Sequence, residues 1–168
     1  MTEKKTMFKW FWVWDFEKEE EWLNDMALNG WVLSSVGLCT YTFEKCQPGE
    51  YAVRLEMHEM DESYISFMRE TGAEYVGRMV AWIYFRKKTE DGPFDLFSDI
   101  DSRISHLDKI GKMLGLIGGA NLLIGIANTF NPGHFGWINL VCATLLMYAL
   151  GRIHGKKEAL TRERQLHE

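Results

Sequence analysis

Polar and apolar positions divide the chain into three regimes: short alternating segments over residues 1–90, helical spacing over 91–112, and two uncharged apolar blocks beyond. Residues 8–15 alternate at period two. Phe8, Trp10, Trp12 and Trp14 fall on one side and Phe11 and Val13 on the other, which predicts a strand apolar on both faces. Residues 17–29 switch to helical spacing, with Trp22, Leu23 and Met26 on one side and Gly30 placed as the C-terminal cap. Residues 31–36 and 39–45 then read as strands, followed by a turn at Gln47-Pro48-Gly49. The order recurs: strand 51–57, Asp61 as N-cap, a helix carrying Tyr64, Ile65, Phe67 and Met68 that ends at Gly72, and strands 75–76 and 79–87.

The two halves align at an offset of 42 residues, which sets Trp22-Leu23 on Tyr64-Ile65, Met26 on Met68, Gly30 on Gly72, Phe43 on Phe85 and Lys45 on Lys87. The pattern predicts an α+β fold built by internal duplication, repeats 8–46 and 50–88. Each repeat is βαββ, giving a mainly antiparallel, helix-backed sheet of ferredoxin-like layout. Two helices cover only one face of such a sheet. The tryptophans of residues 8–15 are therefore either core aromatics of a central strand or a platform for a ligand, a partner or the membrane surface.

From residue 113 to residue 151 there is no Asp, Glu, Lys or Arg. Two mostly apolar stretches, 113–130 and 135–150, are joined by Asn131-Pro132-Gly133-His134, whose Pro and Gly form turns. Each lies near the lower bound of roughly 17 residues for a spanning helix. A buried hairpin of a water-soluble protein would usually keep one polar stripe. A short two-helix transmembrane hairpin is therefore expected. Arg103, Lys109 and Lys112 precede it, Arg152, Lys156 and Lys157 follow it, and the turn carries no charge. Because Lys and Arg are retained on the cytoplasmic side, both termini of this multi-pass protein should be cytoplasmic, with Trp137 and Tyr148 in the interface belt. The expected organisation is a cytoplasmic α+β domain (1–90), an amphipathic linker helix (91–112), the hairpin (113–151) and a charged cytoplasmic tail (152–168).

One stripe crosses the linker into the hairpin. Phe97, Ile100, Ile104, Leu107, Gly111, Leu114, Gly118, Asn121, Gly125 and Asn128 alternate at spacings of three and four. With Pro93 placed to start it, one helix from about Phe94 to Phe130 is expected, roughly 55 Å long at about 1.5 Å per residue. Within the bilayer the stripe turns small and polar, which permits close helix approach. Three occupants suit it: the second helix, offering Asn139, Ala143 and Thr144; a second copy; or another membrane protein.

Composition narrows the chemistry. The net charge of −5 gives no general case for nucleic-acid binding, and the 14% aromatic content with seven Trp fits a packed core. Cys39, Cys46 and Cys142 form neither a CxxC pair nor an even framework, so a reducing compartment is the default. The N-terminus leads into the Trp-rich stretch without a signal core. Cys39, Cys46 and His58 match no zinc spacing and lack a fourth ligand. Glu17, Glu19, Glu20 and Glu21 read as a solvated helix start that complements the helix dipole. His58-Glu59 lacks the second His of a zincin motif, and Gly115, Gly118 and Gly119 lack the strand and Lys-Ser/Thr of a phosphate loop. No enzyme activity, cofactor or metal is expected.

The residues Lys9-Trp10-Phe11, Glu21-Trp22-Leu23-Asn24-Asp25-Met26-Ala27-Leu28-Asn29-Gly30-Trp31 and Trp82-Ile83-Tyr84-Phe85-Arg86-Lys87, followed by a two-helix tail, resemble the bacterial membrane protein family catalogued as domain of unknown function 2812. The resemblance spans about residues 8–150. It implies an uncharacterised membrane-attached protein, often encoded beside PadR-like transcriptional regulators, and supplies no catalytic residues. The function expected is a membrane-anchored, non-enzymatic regulatory or interaction protein whose cytoplasmic domain binds a partner or small ligand. The alternative is an accessory subunit of a membrane transporter, docking through the Gly/Asn stripe. The membrane itself, a second copy or another membrane protein are the partners expected.

Overall fold

The structure, a computed structural model, describes residues 3–97, 99–130 and 136–167. The predicted turn at 131–134, and Phe135 beyond it, lie outside the described residues. The chain divides into two compact units, residues 1–96 and 97–168.

In the first unit the elements run β1 (Lys4–Phe8), a 3-10 turn (Val13–Asp15), α1 (Phe16–Leu28), β2 (Trp31–Gly37), β3 (Thr40–Lys45), β4 (Tyr51–Met57), α2 (Glu62–Glu70), β5 (Glu74–Met79) and β6 (Trp82–Lys88). They form two three-stranded antiparallel sheets, ordered β1-β3-β2 and β4-β6-β5. The βαββ unit occurs twice, and the repetition extends to the irregularities. Leu33 pairs with Phe43 as Tyr75 pairs with Phe85, and a bulge displaces the register between Leu33 and Ser35 and again between Tyr75 and Gly77. Gly30 and Gly72 close the two helices at φ of +82° and +86°, a left-handed conformation that favours glycine.

The first strand differs from its expected position. β1 is the polar segment Lys4–Phe8, and Trp10, Trp12 and Trp14 lie beyond it, on an irregular stretch and the 3-10 turn. The cause is the length of the neighbour. Phe8 pairs with Thr40, the first residue of β3, and the Lys9 N–H still donates to the Cys39 carbonyl at 3.0 Å. Past that point the β2–β3 hairpin has turned, so a strand over 10–14 would have no ladder partner.

The two sheets meet along β2 and β5. Arg86 donates to the Leu33 carbonyl at 3.2 Å, while a Cβ added to Gly77 would stand 3.1 Å from Val36 Cγ1. Arg86 is paired with Glu74 in the ladder, so the meeting points advance together along both strands. β2 and β5 therefore run side by side in the same direction. Each repeat has its own core. Trp22 of α1 sets its ring edge-on to Tyr41 and Phe43 at 5.1 and 5.5 Å. Met68, Ala73, Ile83, Phe85 and Phe94 form a buried cluster beneath α2.

α1 also protects an exposed sheet edge. β4 is an outer strand, and Asn24 bonds both backbone groups of Val53, accepting from its N–H and donating to its carbonyl, each at 2.9 Å. Glu20 accepts from the Leu55 N–H at 3.2 Å. Side chains on a helix thus occupy backbone positions that another strand could otherwise pair with. Asn24→Ala is expected to lower stability by about 1 kcal/mol for each lost bond. The check is denaturant unfolding of the full chain in detergent, with Asn29→Ala, a residue bonding only its own helix, as control.

The second unit is a pair of long helices, α3 (Ile100–Thr129) and α4 (Gly136–His167). Contacts between Asp101 and Arg164, Asp108 and Lys157, and Gly125 and Leu140 show an antiparallel pair. α3 starts six residues later than expected, at Ile100 instead of Phe94. Asp99 caps it, accepting from the Ser102 N–H at 2.7 Å in a capping box. Phe94 is instead buried in the sheet unit. Residues 152–167 continue α4 without a break.

Candidate functional site

On α3 the predicted stripe faces α4. Leu107, Leu114, Gly118 and Gly125 are buried, and Ile100, Ile104, Gly111, Asn121 and Asn128 are half-buried. The fit is tightest towards the end of α3 and the start of α4: a Cβ on Gly118 would stand 2.8 Å from Met147 Cε, and one on Gly125 would stand 2.7 Å from Leu140 Cδ2. The expectation that one helix carries every stripe residue fails at Phe97, which precedes α3 and sets its ring 4.8 Å from that of His106. Asn121 donates to the Ile117 carbonyl at 2.9 Å, so its amide is bonded within its own helix.

The opposite faces are apolar and open. Leu116, Leu123, Trp137 and Val141 are all more than half exposed, and both helices are long and apolar enough to cross a membrane. The polar ends carry the ion pairs Asp101–Arg164 and Asp108–Lys157, both at 2.6 Å.

In the sheet unit, Trp10 and Trp12 are exposed and Trp14 is half-buried. Trp10 meets Trp12 edge-on at 5.5 Å, and Trp12 stacks on Trp14 at 5.0 Å with their planes 6° apart. The three expected aromatics therefore stay together, although not on a strand. Lys9 lies over Trp22 at 4.2 Å, and burial pulls its amine below its ordinary value while Asp25 partly opposes this.

Several buried polar groups were not anticipated. Glu19 is 5% exposed, against the expectation of a fully solvated acidic helix start. It accepts from Tyr41 of β3 at 2.8 Å and from Tyr84 of β6 at 2.6 Å, so one carboxylate ties α1 to both sheets. Burial raises the Glu19 carboxyl above its usual range, and the two hydroxyls partly offset that. The available signal was helical phase, since Glu19 stands three and four residues before Trp22 and Leu23 on the same face. Arg86 spans the two sheets as well, pairing with Glu44 at 2.6 Å and Glu74 at 2.7 Å. Tyr64 of α2 donates to the buried Glu56, and His58 stacks on Tyr64 at 4.1 Å. Among the described residues, no group of three or more His, Cys, Asp or Glu is placed to hold a metal ion. A cleft of about 410 Å³ opens between α1 and β4, lined by Glu17, Glu20, Glu21, Asn24, Tyr51 and Arg54.

His106 is 4% exposed, and burial, with Lys109 nearby, lowers its pKa from 6.5 to about 4. The unfolded chain therefore binds this proton more readily. Its contribution to stability is complete above pH 6.5 and is lost as pH falls through about 4. Thermal unfolding in detergent between neutral and mildly acid pH should show that loss, and His106→Phe should flatten it.

Residues 15–118 match the family described as a protein of unknown function, DUF2812, which is more than half of the chain. The chain belongs to this family. The DUF2812 match begins after Trp10, Trp12 and Trp14 and stops before Asn121, Gly125, Asn128 and α4. It includes Glu19, Tyr41, Tyr84, Arg86 and His106, so the buried polar links lie within the DUF2812 segment and the seam beyond Gly118 does not. No curated protein and no solved structure matches the chain.

Proposed function

We propose that this DUF2812 member is a bacterial membrane-anchored regulatory or interaction protein, not an enzyme, with the sheet unit in the cytoplasm. The observation that carries the reading is the apolar surface of the helix pair. The pair buries its glycine seam internally and leaves Leu116, Leu123, Val141 and other large side chains outward over a charge-free length. In water such a band would be a large exposed patch; in lipid it is the expected surface. Because the pair is antiparallel, Arg103, Lys109 and Lys112 lie at the same end as Arg152, Lys156 and Lys157. That distribution supports both termini being cytoplasmic. The sheet unit then presents its cleft and its exposed aromatics to a cytoplasmic partner or small ligand.

The alternative, an accessory transporter subunit docking through the seam, has to contend with α4 already occupying that seam. A homodimer made through the same stripe meets the same obstacle. Reporter fusions at either terminus should behave as cytoplasmic, and a tag inserted at residues 131–134 should be reachable from outside intact cells. Labelling of the termini from outside would overturn the orientation. Mild-detergent purification that brings a transporter core along, and loses it with seam substitutions, would favour the alternative.

A further inference from the structure

The charges of the helix pair are sorted along its length. Gly111 of α3 faces Leu150 and Ile153 of α4, its added Cβ standing 3.6 and 4.0 Å from them, so Lys112 and Arg152 lie at one level. These two are the first charges on each helix beyond the charge-free length, which therefore ends flush on both. Residues 108–112 and 151–157 hold Lys109, Lys112, Arg152, Lys156 and Lys157 against one carboxylate, Asp108. Lys157 takes that carboxylate at 2.6 Å. Lys109, Lys112 and Arg152 are exposed, and among the described residues they form no ion pair. Farther out the balance changes. Residues 100–107 and 158–167 hold Arg103, Arg162 and Arg164 against Asp101, Glu158 and Glu163, and there Arg162 pairs with Glu158 and Arg164 with Asp101. The far end of the pair is thus balanced, and the surplus of cations is confined to one belt beside the apolar surface.

We propose that this belt binds the headgroups of anionic phospholipids, so that the anchor selects the lipids around it. The proposal deepens the membrane-anchor reading above and rests on it. Depth is the first argument for lipid as the occupant. Residues 109–112 rise about 4.5 Å and residues 152–157 about 7.5 Å at about 1.5 Å per residue. The headgroup layer on one side of a bilayer is about 5–7 Å deep. Cations that begin where the charge-free length ends therefore fall within that layer, whereas Arg162 stands about 15 Å beyond Arg152. Charge is the second argument. The one carboxylate at the belt is already taken, so Lys109, Lys112 and Arg152 have their counter-charge to gain from outside the helix pair, and lipid phosphates are the anions present at that depth. The third is Tyr148, which is 55% exposed and stands four residues before Arg152, on the same side of α4. An exposed tyrosine at the edge of the apolar surface suits the same interface.

The test reconstitutes the full chain in phosphatidylcholine vesicles carrying a trace of spin-labelled phosphatidylglycerol or spin-labelled phosphatidylcholine, and reads the share of label immobilised at the protein surface. Phosphatidylglycerol should be preferred by about fivefold, which is what one Lys or Arg is worth near an anionic surface. High salt should weaken that preference. Combining Lys109→Gln, Lys112→Gln and Arg152→Gln should bring it close to one while leaving the immobilised phosphatidylcholine unchanged, which shows that the variant still inserts. Arg162→Gln, beyond the headgroup layer, should keep the parent's preference. If neither lipid is immobilised by the parent, the anchor reading itself fails. If both are immobilised equally, the anchor stands and the belt does not bind lipid. If the triple variant keeps the preference, or Arg162→Gln loses it, the selection comes from elsewhere on the chain and the assignment to these residues is overturned.

Discussion

Gly125→Leu is expected to force α3 and α4 apart over at least one turn. A Cβ there would meet Leu140 Cδ2 at 2.7 Å, Cγ at 2.9 Å and the Leu140 backbone nitrogen at 3.1 Å. The side-chain atoms could swing aside, but the backbone nitrogen cannot move unless the helix moves with it. Gly136 packs as closely from the other side, its added Cβ standing 2.6 Å from the Gly125 carbonyl oxygen. Overpacking of this kind costs about 1–3 kcal/mol and at times more, and Gly125→Leu should fall at the upper end. The graded series is more telling than one variant. Gly118 meets the flexible end of Met147 at 2.8 Å and Leu146 Cβ at 3.3 Å, Gly111 meets Leu150 only at 3.6 Å, and Gly119 meets nothing within 4 Å. Alanine substitutions should therefore lower the Tm in detergent most at Gly125, less at Gly118, little at Gly111 and not measurably at Gly119. Leu123→Ala, on an exposed face, should also be silent because lipid replaces what it touches. If Gly119→Leu weakens the protein as much as Gly125→Leu, close packing is not what the stripe encodes.

The same series shows what the sequence could reveal. Spacing of three and four identified the seam because helical phase depends only on local geometry, and the glycines marked where backbones approach. The duplication was legible because the repeated residues are those that terminate helices and fill cores: Gly30 and Gly72, Phe43 and Phe85. The first strand was misplaced because alternation of large aromatics is a property of one segment, whereas a strand also needs a neighbour of matching length. β3 ends that ladder at Thr40. The start of α3 was misplaced for a related reason. Phe94 fits an apolar stripe, but a buried cluster distant in sequence claims it, and Asp99 with Ser102 supplies a better start. Buried charge was the hardest to read. Nothing in a run of glutamates tells which carboxylate two tyrosines from separate sheets will reach.

Those links also explain how two three-stranded sheets, each thin alone, hold together as one unit. β2 and β5 meet along their lengths, yet the specific ties are polar and concentrated: Arg86 joins Glu44 and the Leu33 carbonyl of one sheet to Glu74 of the other. Glu19 does the same on the α1 side. Removing an arm of such a tie leaves a buried group without its partner, and that cost generally exceeds the net worth of the bond itself.

Glu19→Ala is accordingly expected to be the most damaging single change in the sheet unit. It would remove the acceptor that the hydroxyls of Tyr41 and Tyr84 share; these are 1% and 0% exposed and would be left to bond only each other, so one buried donor loses its acceptor where water does not reach it. Each buried unsatisfied hydroxyl costs about 1–3 kcal/mol, and the vacated volume adds a cavity cost. Glu19→Gln should behave differently, because its amide oxygen still accepts from a tyrosine while the buried charge is gone. The two variants also separate by pH. Burial raises the folded carboxyl's pKa above the ordinary 4.5, so its contribution is fully present below that value and is lost as pH rises through the folded value. Glu19→Gln should thus be at least as stable as the parent at neutral pH and lose that advantage in acid. Tyr84→Phe and Tyr41→Phe, which delete a donor without leaving an orphan hydroxyl, should each cost less than Glu19→Ala. Unfolding of the full chain in detergent, followed by tryptophan emission across pH, gives all four values. If Glu19→Ala matches the parent at neutral pH, the carboxylate does not hold the two sheets together.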